Sequence, residues 1–164
     1  MNWFWLKLDK KLETDPKYFI LQTLLAFISL SVVLILLGIM GRKALVAALG
    51  SSLFIAFLTP NSYTAQARNM VGSHLLSGAV GLGFYHLIRL LASNQMVLIL
   101  LSSLAVAISM FLMVVTDTEH PPAAGTALGL STGGGWVSFL FIVASVIALA
   151  VIKRLLDPWL ADLV

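Results

Sequence analysis

The sequence predicts an all-α, polytopic membrane protein with four to six membrane segments, two of them broken or re-entrant at polar motifs. Three observations carry this expectation. Of 164 residues, 60% are hydrophobic and only 10% charged, against about 25% charged in a soluble domain. Mean hydropathy is +1.01. Several apolar runs approach the roughly 20 residues that a spanning helix needs. A fold with so few charges could not cover itself with water-compatible surface, and lipid removes that requirement.

Residues 1–17 read as an interfacial amphipathic segment. Trp5, Leu8 and Leu12 share a helical face, Lys7, Lys10 and Lys11 fall elsewhere, and Trp3 and Trp5 suit headgroup depth. The bland alternative is a frayed, charged tail. No signal peptide is expected, because this stretch lacks a continuous apolar core. The membrane domain is expected over residues 18–155, with a C-terminal tail over 156–164. Within it, residues 18–40 carry no formal charge and form the clearest span; Arg42 and Lys43 then mark a turn. Residues 44–58 are short for a crossing and stop at Thr59 and Pro60. Residues 70–91 and 96–115 follow, then a short helix over 121–130 that Gly133, Gly134 and Gly135 end, then 136–152 closed by Lys153 and Arg154. Lysines before the first span and the basic pair after the last both favour the cytoplasm, which requires an even number of crossings. The charge pattern thus predicts a cytoplasmic N-terminus; the expected location is a bacterial inner membrane. One membrane domain fits, with no appended soluble domain.

Composition also excludes chemistries. There are no cysteines, so no thiolate metal site or disulfide exists. No histidines lie at i, i+4, and no serine sits in a nucleophile elbow. We therefore expect no metal, no cofactor and no enzyme activity. Basic residues form no stripe, so nucleic acid is not an expected partner. The lipid bilayer is one. A chain this small is expected to self-associate as a homo-oligomer to bury its polar breaks.

Those breaks are the informative part. The first runs Thr59 to Asn69 and contains Pro60, Asn61, Ser62, Gln66 and Arg68; the second runs Thr116 to Thr126 and contains Asp117, Glu119, His120, Pro121 and Pro122. A shift of 57 positions lays Thr59 on Thr116, Phe54 on Phe111 and Gly72 on Gly129, a possible internal repeat of the kind that flanks transporter sites. Both breaks also suit ordinary solvated loops. Against that, each precedes a helix start, where free N–H groups and the positive dipole end favour an anion. Pro121 and Pro122 suit a first helical turn. Thr116 or Thr118 is expected to cap that helix, with Asp117 or Glu119 complementing its dipole. Arg68 offers a planar donor fork to a flat oxyanion, or a structural pair with Asp117 or Glu119. Glu119 with His120 offers a proton relay. His74 is a second candidate in that role, whereas His86 reads as a satisfied interhelical hydrogen bond. Gly72, Ser73, Ser77, Gly78, Gly81 and Gly83 read as close helix packing.

The string His120-Pro121-Pro122-Ala123 resembles the signature of the HPP family of integral membrane proteins. The stretch from Pro60 to Asn69 is similar to that family's second motif, with Ala67 where the family usually has Pro. The resemblance implies a compact helical membrane domain of four spans. It also points to nitrite, which plastid and cyanobacterial members are associated with transporting; some bacterial members carry a nucleotide-sensing pair of domains for which this chain has no room. The expected function is transport of a small inorganic anion, nitrite first. Arg68 would bind it, with hydrogen bonds from Asn61, Ser62, Gln66, Asn69, Thr126 and His120. Glu119, His120, Asp117 and His74 would gate or couple, and Pro60, Pro121 and Pro122 would shape the breaks. The competing expectation is a non-transporting membrane scaffold whose breaks are structural.

Overall fold

The structure is a computed structural model that describes residues 16–37 and 43–163. Of the interfacial segment expected over residues 1–17, residues 1–15 lie outside the described residues and Pro16 and Lys17 open the first helix; of the turn expected at Arg42 and Lys43, Arg42 lies outside them and Lys43 begins the second helix. Among the described residues, six α-helices follow in order: α1 (Pro16–Leu37), α2 (Lys43–Leu58), α3 (Ala67–Leu91), α4 (Gln95–Val115), α5 (Pro122–Gly133) and α6 (Trp136–Leu156). Two 3₁₀ turns, Tyr63–Ala65 and Asp157–Trp159, precede α3 and follow α6. Among the described residues, three helices are long and apolar enough to cross a membrane: α3, α4 and α6 with its trailing turn.

The burial pattern of α3 and α4 inverts that of a soluble bundle. On α3 the buried residues include Asn69, Ser73, His74, Ser77, Gly78 and Gly81, while Leu75, Leu87, Leu90 and Leu91 are exposed. On α4, Ser102, Ala105 and Ser109 are buried and Ile99, Leu104, Phe111 and Val114 are exposed. Large apolar side chains outside and small or polar ones inside suit a lipid solvent, where polar groups must be satisfied internally.

Helix α3 is the hub, packed against α4, α5 and α6; α2 packs on α5, and α1 lies against α2 and α6. The interior has two halves. An apolar half is built from Leu45, Leu49, Leu53 and Phe57 of α2 with Phe141, Ile142, Val146 and Leu149 of α6. A polar half lies between α2, α3 and α5. The buried residues of α2 recur as Leu45, Ala48, Leu49, Ser52, Leu53, Ala56 and Phe57, a helical stripe in which Ser52 is the polar member.

Several expected boundaries move. Helix α3 begins at Ala67, so Arg68 and Asn69 occupy its first turn instead of preceding it. This follows from helix geometry, since first-turn amides need no intrahelical partner and polar side chains there can reach beyond the helix end. The expected C-terminal tail is tied to the bundle over its described part. Leu163 N–H donates to Leu58 O at 2.9 Å, and the Asn61 amide and backbone N–H both donate to Asp162, at 3.0 and 3.1 Å. Buried Gln22 of α1 donates to Phe57 O and Ala161 O, both at 2.7 Å. The start of α1, the end of α2 and the end of the described chain therefore share one end of the bundle.

At Gly81 the α3–α5 crossing leaves no room for a side chain: an added Cβ would lie 2.7 Å from Ala127 O and 2.9 Å from Leu130 Cβ. Gly83, in the same small-residue run, faces open space and is not part of the seam. Gly81→Ala is expected to destabilise the protein by about 1–3 kcal/mol, as overpacking does. Gly83→Ala is expected to be neutral or to stabilise by up to about 1 kcal/mol through helix propensity. Thermal unfolding of the two variants in one detergent checks this, and equal melting temperatures would refute the close crossing.

Candidate functional site

Each break has its own local logic. After α2, the Thr59 N–H and Oγ1 both donate to Ile55 O, at 3.2 and 3.0 Å. After α4, the Thr116 N–H and Oγ1 both donate to Leu112 O, at 3.0 and 2.8 Å. These matched pairs are related by the 57-residue shift noted above. The second break continues as a Schellman motif: Thr118 N–H donates to Met113 O and Asp117 N–H to Val114 O. Asp117 holds the left-handed position with φ 55°, a conformation that Asp tolerates better than most residues.

The two breaks meet. The Tyr63 hydroxyl donates to Asp117, its carbonyl oxygen at 2.8 Å and Oδ1 at 2.7 Å. The Arg68 fork donates to Asp117 Oδ2 at 3.3 Å and Thr116 O at 3.2 Å. Deeper in, the Ser73 hydroxyl lies against Thr118 O, and His120 Nδ1 sits 2.7 Å from Thr64 O. The outer layer is exposed, with Arg68 and Asp117 side chains 60% and 73% accessible. Hydrogen bonding from Tyr63 and then Arg68 holds the Asp117 carboxyl below the usual carboxylate range. The same contact, with a lesser share from Glu119, pushes the Tyr63 hydroxyl up to about 12.

Beneath this layer lies a polar cluster without exposure. His74, His120, Ser52 and Thr126 are each 0% exposed. Ser52 Oγ is 3.0 Å from His74 Nε2 and 2.9 Å from His120 Nε2. His74 Nδ1 is 2.7 Å from Thr126 Oγ1. The two imidazoles are 5.4 Å apart between centroids. Beside them, Glu119 and His120 line a cavity of about 180 Å³ otherwise walled by Met110, Met113, Val114, Pro121 and Ala124. Glu119 Oε2 and Asn69 Oδ1 are buried with no hydrogen-bond partner among the described residues.

The expected site residues thus divide by depth. His74, His120 and Thr126 converge inside, Glu119 beside them. Arg68 and Asp117 pair at the surface, and Asn69 donates to Tyr63 O at 2.8 Å from a buried position. Asn61 is turned to Asp162. Ser62 stays in its own turn near Thr59 and Thr64, and Gln66 is exposed. Pro60 and Pro122 are buried and Pro121 exposed.

Four expectations need correction. Neither Thr116 nor Thr118 caps α5: its N-cap is Pro121, with no side-chain bond, because Thr116 turns back onto α4 and Thr118 Oγ1. No acidic residue lies in the first turn of α5, since Asp117 is taken by Arg68 and Tyr63. The start of α5 also presents few donors. Its prolines have none, and Ala123 and Ala124 N–H groups donate to His120 O and Pro121 O. Finally, His86 is exposed and lies edge-on to Tyr85 at 5.3 Å; the interhelical hydrogen bonds belong to His74 instead. Sequence reasoning missed Ser52, Tyr63, Thr64 and the interior role of Ser73. For Ser52 a signal existed: the 57-residue shift lays it on Ser109, and both serines bond into α3, to His74 and Ser77.

This is a helical membrane protein whose interior is polar where two helix breaks converge. The family model for the HPP transmembrane region matches residues 11–157, and the chain belongs to that family. A transmembrane protein of Dictyostelium discoideum is 34% identical over 116 residues, covering 69% of this chain. The chain spans only 39% of that relative's length. No solved structure matches the chain.

Because Asp117 is held below its ordinary 3.8, its charged form is favoured by folding. That contribution is complete above the unfolded value and is lost as pH falls through the lower folded value. Asp117→Asn keeps a residue suited to φ 55° and removes the charge. Melting temperature is expected to be higher in wild type at neutral pH, with the gap closing below pH 3.8. A gap that is constant from pH 7 to pH 3 would refute the ion pair's role.

Proposed function

We propose that the protein moves a small inorganic anion across the membrane, nitrite first, through the junction of its two breaks. The observation that carries this reading is their convergence: Tyr63, Thr64 and Arg68 of one contact Asp117, Thr116 and His120 of the other. In lipid, irregular backbone is tolerated where it is buried in protein or lines a cavity. Arg68 attracts the anion at the mouth, using fork donors beyond the two bonded to the second break. The first-turn amides of α3, which every helix start leaves without intrahelical partners, add to it. Farther in, Asn69 supplies a hydrogen bond through its second amide hydrogen, Thr126 lies deeper with its hydroxyl held by His74, and Asn61, Ser62 and Gln66 border the route.

The groups left unsatisfied at the junction are acceptors, Glu119 Oε2 and Asn69 Oδ1. An ionised carboxylate there repels an anion; a protonated one donates to it. The anion therefore travels with a proton, Glu119, His120 and His74 acting as coupling groups. In this reading the chain works as a homo-oligomer in a bacterial inner membrane. Lys17, Lys153 and Arg154 flank the bundle end where α1 starts and α6 finishes, which supports a cytoplasmic placement for that end.

One observation favours a scaffold instead: Arg68 and Asp117 already satisfy one another. Uptake of nitrite into liposomes containing the purified protein separates the two. Wild type is expected to transport, and Arg68→Gln to transport at least about ten-fold more slowly, as loss of a charged hydrogen bond of roughly 1.5–3 kcal/mol implies. Equal rates in the two would remove Arg68 from the path. No flux of any anion would favour the scaffold.

A further inference from the structure

Four buried groups, from three helices and one break, form a single hydrogen-bonded line: Thr126 of α5, His74 of α3, Ser52 of α2 and His120 of the second break, which ends on Thr64 O of the first. Its proton inventory follows from one fixed point. A carbonyl oxygen only accepts, so His120 Nδ1 must carry the hydrogen that reaches Thr64 O. In a neutral ring Nε2 is then an acceptor, and Ser52 is the group within reach, so the Ser52 hydroxyl donates to it. Having one hydrogen, Ser52 then accepts from His74, which places His74's hydrogen on Nε2. His74 Nδ1 in turn accepts from Thr126. Every donor finds an acceptor, and the line has one direction.

Ser52 has a second resting place. Its Oγ also lies 2.9 Å from Ala48 O. With an extra proton on His120, both Nε2 atoms donate to Ser52 and the hydroxyl donates to Ala48 O. The same heavy-atom positions therefore accommodate the cluster with and without an added proton.

We infer that Ser52 is the hydroxyl through which His74 and His120 exchange a proton, a relay that rests on the transport reading above for its use. A proton joins Thr126 Oγ1, whose own hydroxyl hydrogen passes to His74 Nδ1. The Nε2–H bond of His74 breaks and its proton joins Ser52 Oγ, while the hydroxyl's original proton leaves for His120 Nε2. His74 ends neutral with hydrogen on Nδ1, Ser52 is unchanged in composition, and His120 becomes the imidazolium. Each passage reverses the line, so the rings must exchange tautomers before the next. The device thus moves one proton per reset and is a gate, not an open wire. Among the described residues, the titratable and charged groups ranged around it are Glu119 beside His120 and, toward the mouth, Tyr63, Arg68 and Asp117.

Two measurements test the relay. In full-length protein labelled with ¹⁵N-histidine in lipid nanodiscs, neutral His120 is expected to carry hydrogen on Nδ1 and neutral His74 on Nε2. In Ser52→Ala, His74 Nε2 loses its acceptor, so the His74 hydrogen is expected to move to Nδ1. The opposite tautomers in wild type, or a His74 tautomer unchanged in Ser52→Ala, would overturn the inference whether or not any anion is moved. In liposomes, an imposed pH gradient is expected to speed nitrite uptake about ten-fold in wild type and not at all in Ser52→Ala, with Ser52→Thr restoring the response. A gradient response kept in full by Ser52→Ala would also overturn it. A protein that shows the predicted, Ser52-dependent tautomers but moves no anion would leave the relay standing and defeat the transport reading.

Discussion

The contact on which the rest depends is the hydrogen bond from His120 to the carbonyl of Thr64. It joins the two breaks at a depth where water is scarce and every polar group needs a protein partner. Without it, His120 would be a buried ring with an unmatched N–H, at a cost of about 1–3 kcal/mol. Around it the arrangement is over-determined: Tyr63 and Arg68 hold the outer rim, Ser73 holds Thr118, and Ser52 ties the rings to α2. The breaks are structurally one feature, built from two distant parts of the chain.

That feature explains why α3 is polar on its inner face. A helix at the centre of a bundle in lipid gains little from burying leucine, since the lipid is equally apolar. Small residues let α5 approach, as at Gly81, and hydroxyls and His74 supply specific bonds. The apolar half of the core, shared by α2 and α6, acts as the frame against which this polar half is set.

Much of the fold was legible in sequence because spans, breaks and their prolines leave strong compositional marks. The pairing of Arg68 with Asp117 was also foreseen as an alternative, from charge alone. Ser52 was not, since it sits in an apolar run and gains meaning only when α2 presents it to two rings from elsewhere. Helix caps were misread for a related reason. Thr116 is chemically able to cap α5, but the Schellman turn that Asp117 completes points it back to α4. Local rules name the candidates, and tertiary geometry chooses among them.

The low apolarity of α3 has a consequence for how the protein is made. The mean hydropathy of its 18-residue membrane-length stretch is 1.2, against 2.7 in α4 and 2.4 in α6 with its trailing turn. His74, Ser73, Ser77 and four glycines make it a weak candidate to partition into lipid alone. Its neighbour α4 is strongly apolar and only a short turn away, so the pair enters more readily as a hairpin. Even then His74 has no partner until α2 and α5 arrive with Ser52 and Thr126. The polar centre therefore couples insertion to assembly: the segment that holds the chemistry becomes a settled membrane helix only when its neighbours are in place.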